Sequence, residues 1–243
     1  MYAADDFYHI LKEGEVPEAN DTTKPFILLG NKATKLDPET QTLVLSNGQI
    51  VTYDKLLLAT GGIPKELPSM KKLSPELKKH VTTYRKVLLS LSFAFLCKLF
   101  FFSIQVDDFK ELDKIANSSE TIAIVGGGFL GSELACALAR RTQTASKLHV
   151  TQIFPEEGNM GLVFPKYLSN WTTAKLRQEG VEVLAKTGVR SFHEVKNATT
   201  GKTQVLLKLD NDTEKIVDHV VVSVGLDPNV ELAKYGRDVQ LIL

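Results

Sequence analysis

Six consecutive residues, Gly126-Gly127-Gly128-Phe129-Leu130-Gly131, fit the spacing G-x-G-x-x-G. The chemistry such a run can do is to hold a pyrophosphate. Gly126 allows a tight turn, Gly128 lets the backbone approach the phosphates, and Gly131 lets a helix sit close to the preceding strand. The N–H groups and positive dipole end of that helix then face the anion. Glu156 and Glu157 stand about 25 residues beyond the last glycine. A carboxylate there can accept the ribose hydroxyls of an adenosine and repels a 2′-phosphate, so NADH is favoured over NADPH. The bland alternative is a glycine turn of no consequence with two solvated glutamates, and local context decides between them.

That context is a β-α-β pattern. Thr121-Ile-Ala-Ile-Val125 reads as a compact apolar strand running straight into the glycines. A helix pattern follows, with Leu130, Leu134, Ala137 and Leu138 on one face and Arg140 and Arg141 at its C-terminal end. A second strand is expected over 148–154. A helix is expected from Pro165 to Glu179, with Leu168, Trp171 and Ala174–Lys175 marking a face and Trp171 as a core anchor. Strands are expected at 181–184, 189–195, 204–209 and 216–224. The last ends in Val224-Gly225-Leu226-Asp227-Pro228, which echoes Ala59-Thr60-Gly61-Gly62-Ile63-Pro64. Upstream, Phe26 to Gly62 is strand-rich, and Asn47-Gly48 between apolar runs predicts a hairpin. Lys55–Gly62 reads as a short buried strand. Residues 63–86 read as a polar connector with a short helix and solvated lysines.

The chain has 243 residues, is 43% hydrophobic and 24% charged, and has a formal net charge of zero. Those values exclude disordered and fibrous classes and argue against a dedicated nucleic-acid or membrane-surface binder. Cys97 and Cys136 form no disulfide framework, and the five histidines show no metal-ligand spacing. The opening Met1-Tyr-Ala-Ala-Asp-Asp has no signal-peptide or transit-peptide character, so a soluble, intracellular, reduced protein is expected. Residues 87–105 are apolar with Lys98 as the only charge. Their length suits a membrane span, but Lys98 near the middle is costly in lipid, and no aromatic belt flanks the run. The run opens on Val87 and closes on Phe-Phe-Phe-Ser-Ile-Gln105, which is how an intron translated in frame would read. No membrane span is expected.

The run Ile124-Val-Gly-Gly-Gly-Phe-Leu-Gly-Ser-Glu-Leu-Ala-Cys-Ala-Leu138 resembles the NADH domain of the apoptosis-inducing factor family. So do Phe154-Pro-Glu-Glu-Gly-Asn-Met-Gly161, Tyr167-Leu-Ser-Asn-Trp-Thr172 and Val224-Gly-Leu-Asp-Pro-Asn-Val-Glu-Leu-Ala-Lys234. The resemblance covers about 24–86 and 106–236, with 87–105 as the extra residues. It implies an α/β fold in which a Rossmann-like NAD domain is inserted in a partial FAD domain of a two-dinucleotide flavoprotein reductase. The implied domains are 1–86 for FAD, the insertion 87–105, 106–230 for NAD, and a truncated return to the FAD domain at 231–243. The implied function is hydride transfer from NADH to FAD and then to an external acceptor, with a role in apoptosis and mitochondrial redox.

By position, the resemblance has Gly127, Gly128, Phe129 and Leu130 cradle NAD. Glu133 would touch its nicotinamide side, Glu156 its ribose, and Gly225 would close over the nicotinamide. Ala33, through its backbone, and Arg85 would contact FAD. After Asn159-Met160-Gly161 the family places a cofactor-contacting lysine where this chain has Leu162, which bears on cofactor affinity and NADH preference. The resemblance further implies a mitochondrial location, passage to the nucleus on apoptosis, a homodimer on NADH binding and a weak DNA contact near Lys55 and Lys65. No G-x-G-x-x-G precedes residue 26, and the family's Gly-Asp flavin motif does not appear. The FAD site is therefore expected to be incomplete. The alternative function is a non-enzymatic NAD-binding or apoptotic interaction module.

Overall fold

The computed structural model describes residues 9–11, 26–84, 106–141 and 148–235. Arg85 and the apolar run 87–105 lie outside the described residues, so the expectations placed on them have no structural counterpart. Two compact units divide the chain: Met1–Gly62 with Pro228–Leu243, and Ile63–Asp227.

In the first unit, β1 (His9–Leu11) pairs in parallel with β2 (Phe26–Leu28). Strands β3 (Ala33–Asp37), β4 (Thr42–Leu45) and β5 (Ile50–Thr52) form an antiparallel meander that buries Leu36 and Leu45. The β4–β5 hairpin turns at Asn47-Gly48 as expected, and only Gly48 takes a positive φ, +84°. The buried strand expected over 55–62 is not formed. Residues 55–61 are irregular, and Leu57 is 88% exposed. An apolar run becomes a buried strand only where a neighbour pairs with it, and among the described residues none does.

The chain passes between units through β6 (Gly62–Pro64) and β15 (Leu226–Pro228), which pair with each other. These are the two segments whose sequences echo one another.

The second unit has three layers. Its centre is a parallel sheet made of β7 (Val81–Thr83), β8 (Thr121–Val125), β9 (His149–Ile153), β10 (Glu182–Leu184) and β14 (His219–Val222). Their order is β10-β9-β8-β14-β7. On one face lie α1 (Val106–Ser118), α2 (Phe129–Arg141) and α3 (Lys166–Gln178). On the other lies the antiparallel sheet β11 (Val189–Lys196), β12 (Thr203–Leu209) and β13 (Glu214–Val217). Strand β8 shows why it lies between them. Ile122 and Ile124 pack with Leu134 and Leu138 of α2, whereas Ala123 and Val125 pack with Val205 and Leu207 of β12. A strand buried on both faces reads as a continuous apolar run, as 121–125 does.

Four local expectations are corrected. The connector 63–86 holds two 3₁₀ turns, Pro68–Lys72 and Leu77–His80, and then β7, which pairs in parallel with β14. Met70, Leu77 and Val81 are buried while Lys71, Lys72, Lys78 and Lys79 stay in water. The strand expected over 216–224 is two strands in different sheets, broken at Asp218. The Asp218 carboxylate accepts hydrogen bonds from the Glu120 and Thr121 backbone N–H groups, the Thr121 hydroxyl and the Gln204 side chain, at 2.7–3.0 Å. The helix begins at Lys166, with Pro165 as its N-cap. Its buried face is Ser169, Thr173 and Leu176 rather than Leu168, Trp171 and Ala174. Trp171 is 58% exposed with the Lys175 ammonium 5.9 Å from its ring centroid, so it is no core anchor. Among the described residues, no helix is long and apolar enough to cross a membrane.

Candidate functional site

The glycine turn leaves the C-terminal end of β8, the central strand of the parallel sheet. Gly126 has φ +129°, and a Cβ there would collide with the carbonyl oxygen of Ser223, just after β14. At Gly131 a Cβ would strike the carbonyl oxygen of Gly126, so the first turn of α2 packs directly on the end of the strand. A Cβ at Gly127 would lie 2.5 Å from the buried Phe154 ring. These three glycines are required by the protein's own atoms. Gly128 differs: it is exposed, and a Cβ there would meet nothing within 4 Å. Helix α2 starts immediately after it, with no acidic residue in its first turn.

A buried polar network holds this turn. The Gln152 amide, on β9, donates to the Gly126 carbonyl at 2.9 Å. Asn159 donates to Gln152 Oε1 and to the Ser132 hydroxyl of α2, each at 2.8 Å. The Asn159 backbone N–H donates to the Thr173 hydroxyl at 2.8 Å, and Ser169 donates to the Asn159 carbonyl at 2.8 Å. Gln152 and Asn159 are both fully buried. The network ties the turn, α2, α3 and the loop after β9 into one assembly. Sequence reasoning missed it. Its visible trace is Gln152, an amide side chain in a strand that leads into the apolar Ile153-Phe154.

The structure brings most of the expected nucleotide residues to one edge of the sheet. The turn 126–131 follows β8, Glu156 follows β9 and Gly225 follows β14, three neighbouring parallel strands. In open α/β sheets ligands bind outside these carboxyl ends. Glu156 Oε2 is buried and has no hydrogen-bond partner. A buried acceptor without a donor is costly, and ribose hydroxyls would supply donors. Its neighbour Glu157 instead pairs with Lys166 and Lys186 on the surface. Gly225 is exposed at φ +106°, and its carbonyl accepts from the Lys65 backbone N–H at 3.0 Å. Leu130 and Glu133 are half-buried on α2, and burial raises the Glu133 carboxyl above its ordinary value. Phe129 is 41% exposed and meets Phe164 edge-on, with ring centroids 5.5 Å apart. Leu162, where the lysine was expected by resemblance, is 87% exposed. Ala33 stands half-buried at the start of β3 in the first unit.

An exposed glycine with open space beside it, a helix start behind it and an orphaned acidic oxygen just past the next strand fit a dinucleotide. The chain is 37% identical over 208 residues to a Drosophila melanogaster protein named as a mitochondrial apoptosis-inducing factor 1. It is 32% identical over 204 residues to the apoptosis-inducing factor 1 of Dictyostelium discoideum. These matches take in 86% and 84% of the chain but 25% and 33% of the relatives, so the chain spans a quarter to a third of their length. In fold it is similar to the reductase solved in covalent complex with putidaredoxin, with TM-score 0.65 and 24% identity. That match covers 89% of this chain and 45% of the other. The pyridine nucleotide-disulphide oxidoreductase family matches residues 3–241, and the chain belongs to that family.

Proposed function

We propose that this chain serves an NADH-dependent flavoprotein oxidoreductase of the apoptosis-inducing factor type, passing hydride from NADH to FAD and electrons to an external acceptor. The observation that carries the reading is the pairing of open space at Gly128 with the orphaned Glu156 oxygen. When bound, the two cofactors supply the hydride chemistry, and the protein positions them. Gly126–Gly131 hold the pyrophosphate of NADH against the start of α2, and Glu156 accepts its ribose hydroxyls. Glu133, with its raised carboxyl, and Gly225 border the nicotinamide. Ala33 and Arg85 are assigned to FAD through the resemblance. The names of the two curated relatives support a mitochondrial setting and a role in apoptosis. A homodimer on NADH binding, a weak DNA contact at Lys55 and Lys65, and passage to the nucleus rest on the resemblance alone.

Calorimetric titration with NADH and NADPH tests the reading. NADH should bind more tightly, and Gly128→Val should abolish its binding by filling the space of the pyrophosphate. Equal or tighter NADPH binding, or unchanged binding by the Gly128→Val protein, would refute it.

A further inference from the structure

Glu157 is left without a task by the reading above. Its carboxylate bridges two ammonium groups: Lys166 Nζ lies 2.7 Å from Oε2, and Lys186 Nζ lies 3.0 Å from Oε1. Lys166 opens α3, and Lys186 follows β10, where its backbone N–H donates to the Glu156 carbonyl at 2.9 Å. Three elements thus bring two cations and an acid to the corner occupied by Glu156. All three side chains are at least half exposed, and ion pairs so exposed contribute little stability. Folding therefore gives no strong reason for the arrangement. The hydrogen bonds and charges of Lys166 and Lys186 hold the Glu157 carboxyl at about 2, so it stays ionised.

We propose that Glu157 masks a latent phosphate site, and that Lys166 and Lys186 would otherwise grip the 2′-phosphate of NADPH. The inference rests on the NADH reading, which puts the ribose hydroxyls at Glu156. At this corner Glu156 and Glu157 balance Lys166 and Lys186. Removing the Glu157 charge leaves an excess of one positive charge and two free ammonium groups. A phosphate monoester carries about −1.5 to −2 charge near neutrality, and lysines recognise it as point charges. Glu157 thus acts on nucleotide choice indirectly, by occupying the groups that a competing nucleotide needs. This role is distinct from that of Glu156, which accepts the ribose directly.

The test titrates the full chain with NADH and NADPH at low ionic strength, comparing the unaltered protein with Glu157→Gln, Glu156→Gln and the double variant Glu157→Gln/Lys186→Met. Glu157→Gln should lower the ratio of the NADPH to the NADH dissociation constant by about tenfold, through tighter NADPH binding. Adding Lys186→Met should return most of that change, and Glu156→Gln should instead weaken NADH. Melting curves establish that each variant is folded. A shift under about twofold in Glu157→Gln, or a gain that survives the loss of Lys186, overturns the inference while NADH binding by the unaltered chain leaves the parent reading standing. If the unaltered chain binds neither nucleotide, both are overturned.

Discussion

Gln152 donates its side-chain amide to the carbonyl oxygen of Gly126 at 2.9 Å, so the glycine turn after β8 is held from the neighbouring strand. Both partners are buried, and the Gln152 oxygen is in turn occupied by Asn159. The turn's shape therefore depends on a side chain 26 residues away, whose own orientation depends on the loop after β9.

Replacing Gln152 with Leu conserves size but leaves the Gly126 carbonyl and one Asn159 donor without partners. Buried groups stripped of their partners cost about 1–3 kcal/mol each. The melting temperature should fall on the order of 5–10 °C, and NADH binding should weaken as the turn loosens. A melting temperature within about 1 °C of the unaltered protein would show that the network is dispensable.

Gly126→Ala and Gly128→Ala should separate folding from binding. Alanine at 126 must adopt φ +129° and meet the Ser223 carbonyl, which should destabilise by about 2 kcal/mol or more. Alanine at 128 meets no protein atom, so its melting curve should match the unaltered protein while NADH affinity drops. Equal stability losses in the two variants would contradict this division.

His219 makes the stability of the second unit sensitive to acid. Its ring is buried on β14, with Nε2 3.0 Å from the Thr82 hydroxyl. Burial, and secondarily the charge of nearby His80, push it down from 6.5 to about 4. The unfolded chain binds a proton between these values and the folded chain does not, so stability is complete above pH 6.5 and is lost as pH falls toward 4. The upper bound of this effect is about 3 kcal/mol. His219→Gln should flatten the fall in urea midpoint between pH 7.5 and pH 5. An unchanged slope would assign the acid sensitivity elsewhere.

Asp218 should matter at lower pH. Burial pushes its carboxyl up, but hydrogen bonds from Gln204, Glu120 and Thr121 outweigh burial and hold it below 3.8. A depressed acid contributes stability above its unfolded value and loses it as pH falls further. Asp218→Asn should lower the midpoint at pH 7 and shrink the difference from the unaltered protein at pH 3. Equal deficits at both pH values would contradict the carboxylate's role.

What the sequence discloses follows the range of the interactions involved. The β8–turn–α2 unit is legible because an apolar strand, glycines at fixed spacing and an amphipathic helix are consecutive. The hairpin at Asn47-Gly48 is legible for the same reason. Strand β7 is hidden because the strand that pairs with it, with Val220 opposite Val81, lies far along the chain. The break at Asp218 is hidden because the residues it caps, Glu120 just before β8 and Thr121 at its start, lie far away in sequence. Trp171 misleads because size suggests a core position, yet small hydroxyl residues Ser169 and Thr173 face inward to serve Asn159. At the site, the positions of the glycines and Glu156 could be read from spacing, but not the partnerless state of the Glu156 oxygen.

The difference between Gly128 and the other glycines of its motif bears on descent. Gly126, Gly127 and Gly131 answer to their own protein's atoms, and any lineage keeping this packing would keep them. Gly128 meets no protein atom, so under the proposed function it would answer only to what enters from outside. A descendant that gave up the nucleotide would be free to drift there first, with the remaining motif intact and still recognisable. The signature would then outlive the activity, and a side chain at this one position would distinguish a relic from a working cradle.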